Sequence, residues 1–92
     1  MKPLAQPQGS APAVFGYTEA ASIQALFHGK ANEEQQRIAL RWILEKACAM
    51  PTWPYRENQR ETDIALGRHF VGHQIMGAVN VSLSKLQRKE EK

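Results

Sequence analysis

The sequence predicts an all-α fold: a small three-helix domain with a disordered N-terminal arm and a basic C-terminal tail. Two observations lead there. Apolar residues recur at helical spacing in three segments, near 19–28, 33–49 and 59–84. A polar capping residue stands at the head of each, namely Thr18, Asn32 and Asn58. The chain divides into an arm over 1–13, a helical domain over 14–86 and a charged tail over 87–92.

The arm carries Pro3, Pro7, Gly9, Ser10 and Pro12 and has no apolar period to drive burial. It reads as mobile, either a plain disordered terminus or a tether passing between subunits. Val14, Phe15 and Tyr17 precede the first helix, where an apolar residue can staple onto the first turn.

Helix one is expected over Glu19–His28, with Thr18 as its cap and Ile23, Leu26 and Phe27 as its buried stripe. Gly29 supplies the left-handed stop. His28 suits the negative end of the helix dipole.

Helix two is expected over Glu33–Ala49. Asn32 caps it, and Glu33 and Glu34 complement its positive end. Leu40, Ile43, Leu44 and Ala47 form the inward stripe, with Cys48 beside it. Arg37, Arg41 and Glu45 take the opposite face. Trp42 and Ile38 flank the stripe, as core edge or as partner contact. Pro51 stops the helix.

The stretch Met50-Pro51-Thr52-Trp53-Pro54-Tyr55 is rigid and aromatic. Two prolines lower the freedom lost on docking. Trp53 and Tyr55 carry large apolar areas, each with a polar handle. Two readings stay open: a plug closing the end of the core, or an exposed hot spot for a protein partner. In the second, the partner-binding residues are Trp42, Trp53, Tyr55 and Arg56.

Helix three starts after Asn58, which forms a capping-box pattern with Glu61. Ile64, Val71, Ile75 and Val79 define its expected inward face, widened by Leu66, Phe70 and Gly77. A helix apolar nearly all round is central to its bundle or sandwiched between subunits. Gly67, Gly72 and Gly77 each cost roughly 1 kcal/mol relative to alanine, so a packing or contact reason is expected. The tail is solvated by default. Its alternative role is phosphate contact through Lys85, Arg88 and Lys89.

Ninety-two residues allow one domain, and so short a chain is marginally stable alone. Docking on a partner or a homo-oligomer follows naturally. The single cysteine excludes an internal disulfide and fits a reducing cytoplasm. No signal peptide and no membrane span is expected. The net charge of +3 permits nucleic-acid contact without arguing for it.

Catalysis finds no support. Cys48 reads as an inert buried thiol, and no serine lies in a nucleophile motif. No cofactor is implied, since the phosphate-loop and dinucleotide glycine patterns are absent. His69 and His73 are spaced like half a zinc site, but no matching ligands complete it; His28 would serve only if folded close. A helix-turn-helix built from helices one and two would lead into DNA with Glu33 and Glu34, which phosphates repel.

Leu40-Arg41-Trp42-Ile43-Leu44-Glu45-Lys46-Ala47-Cys48 is followed by the proline-bearing insert. Then comes Glu61-Thr62-Asp63-Ile64-Ala65-Leu66-Gly67-Arg68-His69-Phe70-Val71-Gly72. Together they resemble a family of small helical proteins of tailed, podovirus-type bacteriophages, encoded among head and packaging genes. That family shows a leucine-rich helix ending near Cys-Gly, then Glu-Thr, then Gly-Arg-Arg-x-Val-Gly and leucines. The likeness spans residues 37–79. Ala49 stands where the family has glycine, His69 replaces its second arginine, and His73 and Gln74 interrupt its leucines. The resemblance implies a non-enzymatic phage protein in the virion or the host cytoplasm. Its role would be virion structure, assembly or DNA packaging through protein–protein contacts. Two alternatives stand beside it: a regulator that binds and inhibits a host protein, and a small-terminase-like DNA-binding protein.

Overall fold

The computed structural model describes residues 8–90. Among these the chain is all-helical, with four α-helices and no strand: α1 Tyr17–Phe27, α2 Glu33–Trp42, α3 Gln59–Asn80 and α4 Leu83–Glu90. A π-helical turn, Ile43–Ala47, continues α2. Three helices were expected. The fourth arises because the third segment breaks at Val81, whose extended backbone ends α3. Ser82 then restarts the helix: its carbonyl takes the amide of Leu86 and its hydroxyl that of Lys85.

Local signals account for most helix ends. α1 is capped by Gly16 and not by Thr18. Glu19, at the third helical position, reaches back to accept the Gly16 amide at 2.9 Å, which draws the start two residues earlier. Thr18 lies inside the first turn, where its carbonyl accepts the Ser22 hydroxyl. At the other end Gly29 takes the left-handed conformation, φ 71°. The Lys30 amide then reaches the Ala25 carbonyl and the Gly29 amide reaches Leu26, the paired bonds of a Schellman stop. α2 has a full capping box: the Asn32 side chain accepts the Gln35 amide, and Gln35 accepts that of Asn32.

The π turn widens the helix so that the Cys48 amide reaches back five residues, to Ile43. The helix therefore ends short of the expected Ala49. Ala49 itself sits at φ 52°, a conformation that costs a side-chain-bearing residue about 1 kcal/mol or more.

Packing is sparse. α1 lies on α2, and α3 meets the α1–α2 hairpin only at the π turn. Apolar burial falls on small side chains: Ala39, Cys48 and Ala65. The expected inward stripes are corrected accordingly. Phe27 is 84% exposed and Leu26 is exposed too, while Ser22 is the residue of α1 that turns fully inward. On α3 the inward residues are Thr62, Ala65 and Gly72, not the larger Val71 and Val79, which are exposed. The close approach explains the choice. A Cβ on Gly72 would lie 2.5 Å from Met50 Cγ and 3.1 Å from Cys48 Cβ. Gly67 and Gly77 have open space around them.

Of the segment 1–13, expected as an arm, residues 1–7 lie outside the described residues. Gly9 is buried against α3, where a Cβ would lie 2.9 Å from the Ala65 nitrogen and press on the Glu61 carbonyl oxygen. Of the tail, Lys85, Arg88 and Lys89 belong to α4, which packs on no other helix, and residues 91–92 lie outside the described residues. The radius of gyration, 16.5 Å, exceeds the roughly 12 Å of a compact chain of this length.

Candidate functional site

The aromatic loop is built from its two ends. At its start the Thr52 amide and hydroxyl both bond the Ala49 carbonyl, closing a tight turn. At its end Thr62, buried on α3, accepts the Arg56 amide at 2.7 Å and donates to the Arg56 carbonyl at 3.2 Å. The Arg56 guanidinium folds back on the loop and donates to the carbonyls of Trp53 and Tyr55. Between these anchors Trp53 and Tyr55 lie 5.2 Å apart, ring to ring, tilted by 54°. Trp53 is 63% exposed, so it does not plug the core. The loop thus presents an aromatic pair held from behind by backbone hydrogen bonds.

Trp42 has other partners. Its indole donates to the Val14 carbonyl at 2.8 Å, and Phe15 meets it edge-on at 6.3 Å. It fastens the segment before α1 to α2. Trp53, Tyr55 and Arg56 are brought together; Trp42 shares none of their described hydrogen bonds or ring contacts.

A second construction centres on Arg68. Its guanidinium donates to four backbone carbonyls: Lys46 and Ala47 at 2.8 Å, Gly9 at 2.7 Å and Ala11 at 2.9 Å. Lys46 and Ala47 end the π turn, where unpaired carbonyls gather partial negative charge. Arg68 therefore neutralises a helix end and holds the N-terminal segment to it. Glu61 completes the clasp. Expected to close the capping box on Asn58, its carboxylate instead takes the amide and hydroxyl of Ser10 at 2.7–2.8 Å. These two bonds hold the Glu61 carboxyl below the usual carboxylate range, helped by the charges of Arg60 and Arg56. One signal was available: Arg68 is the single Asp, Glu, Lys or Arg between Leu66 and Val81.

The histidines do not assemble. His69 and His73 stand 6.4 Å apart between ring centres, while His28 is packed on Phe27 at the end of α1. His69 Nε2 is buried with no hydrogen-bond partner among the described residues. Among the described residues no three His, Cys, Asp or Glu side chains gather as a metal site. No helix among them is long and apolar enough to cross a membrane.

The outer face of α3 is the remaining candidate. Phe70 is 64% exposed, and Val71 is exposed with it. Against this geometry, neither a family model, nor a curated protein, nor a solved structure matches the chain.

Proposed function

We propose that this chain is a non-enzymatic bacteriophage protein that acts through protein–protein contacts in virion structure, assembly or DNA packaging. The phage setting rests on the resemblance of residues 37–79. The mode of action rests on one observation: Trp53 and Tyr55 are exposed, yet Arg56 and Thr62 hold their loop in place. Exposed aromatic side chains on a prearranged loop lose little freedom on docking and supply much of the energy of an interface.

Trp53→Ala tests this. The expected loss is about 2 kcal/mol of binding, roughly thirty-fold in affinity, with the melting temperature almost unchanged. The measurement pairs thermal melting with quantitative mass spectrometry of purified particles, comparing incorporation of the wild-type and variant chains. A large drop in melting temperature would return Trp53 to a core role. A chain absent from particles but captured on a host protein would be a regulator. Salt-sensitive binding to duplex DNA through Lys85, Arg88 and Lys89 would make it a packaging DNA binder.

A further inference from the structure

We infer that α3 pairs antiparallel with α3 of a second copy of this chain, about a two-fold axis at Gln74. The inference rests on the protein-contact reading above and adds to it the partner and the register.

The face of α3 opposite its inward residues carries Gly67, Val71, Gln74 and Ala78. They follow one another at alternating steps of four and three, the spacing of a helix–helix seam. All four are exposed. Phe70 and Gly77, also exposed, border this stripe. A Cβ on Gly67 or Gly77 would meet nothing within 4 Å among the described residues beyond the helix's own backbone, so no packing seen there explains two helix-weakening residues. A second helix approaching closely does explain them.

The seam is self-complementary in size. In an antiparallel pair centred on Gln74, each residue before the axis faces the one equally far beyond it in the other copy. Phe70 then faces Ala78, and Val71 faces Gly77. A larger side chain meets a small one each time. The Gln74 carboxamides meet at the axis, each able both to donate and to accept. A parallel pair would set Phe70 against Phe70 and Gly77 against Gly77, crowding one level and leaving a gap at the next.

Charge agrees with a like partner. From Leu66 to Val81 the only Asp, Glu, Lys or Arg is Arg68, already bonded to four carbonyls. Two copies of this stretch meet without repulsion, and a charged partner finds no complement on it. Area agrees as well. The chain exposes 7642 Å², against about 5,400 Å² for a folded chain of its mass. Part of that surplus lies on the α3 face, where Phe70, Val71 and Ala78 are exposed. A standard interface covers about 800 Å² on each partner.

The test uses the full chain and light scattering after gel filtration. The expected mass is twice 10.4 kDa. F70K alone and A78E alone should each give monomers with unchanged helix content by circular dichroism. The double variant F70K/A78E should restore the dimer, because each introduced ammonium then faces an introduced carboxylate of the other copy. Should either single variant lose its helices, Q74C under mild oxidation reads the axis instead, and the expected product is a disulfide-linked dimer. A monomeric wild-type chain overturns the seam. So does a dimer indifferent to both single variants, or a folded double variant that stays monomeric. A monomer that still enters particles removes the seam and leaves the assembly reading standing. A dimer absent from particles does the reverse.

Discussion

Replacing Arg68 with alanine should destabilise the fold by about 3 kcal/mol or more. A hydrogen bond to a charged group is worth roughly 1.5–3 kcal/mol net, and Arg68 makes four of them. They share one guanidinium, so their losses do not add fully. Even a partial sum is a large share of the 5–15 kcal/mol typical of a domain. The carbonyls of Lys46, Ala47, Gly9 and Ala11 would lose their donor together. Arg68→Lys should recover only part of the loss, because a lone ammonium lacks the planar fork that reaches two segments at once. Urea titration followed by circular dichroism reads both variants. An alanine variant with an unshifted midpoint would show that the clasp contributes nothing.

Gly72→Val should cost about 3 kcal/mol, at the upper end of overpacking penalties. The position is buried, and any Cβ there already presses on Met50 and Cys48. Gly72→Ala separates crowding from helix propensity. Its single methyl can displace the flexible end of Met50, and alanine gains roughly 1 kcal/mol of propensity. Alanine should therefore be close to neutral while valine is not. Equal melting temperatures for the two variants would mean that the interface between α3 and residues 48–50 is looser than its geometry.

Features set by neighbouring residues were legible in the sequence. Asn32 caps α2 and Gly29 stops α1 as expected, because each is decided within five residues. The cap of α1 was misplaced by two residues because Glu19 can serve Gly16 as readily as Thr18 can serve the turn. The faces of α3 were not legible. A helix apolar nearly all round offers no contrast from which to choose its inward side. The large residues Val71 and Val79 suggested one stripe, and the close approach at Gly72 selected another. The aromatic loop was legible as a unit, through its prolines and Trp53. Its exposure was not, since that depends on Thr62 and Arg56 anchoring the loop from behind. Trp42 was grouped with that loop from its residue type alone, whereas its indole answers to Val14. Arg68 was the largest omission, because its acceptors are main-chain oxygens that carry no sequence pattern.

The clasp of Arg68 on Gly9 and Ala11 joins positions 59 and 57 residues apart. Closing a loop of that length costs on the order of 3–4 kcal/mol of chain entropy, recovered only once α3 exists to receive the segment. During synthesis Gly9 leaves the ribosome long before Arg68 does, and its carbonyl must wait for its donor. The segment around Gly9 and Ala11 is thus made early and placed late. The same order, run backwards, makes it the first to detach as the native state breathes. Amide exchange at Ser10 reports that opening, and protection equal to that of mid-α3 amides would contradict the order.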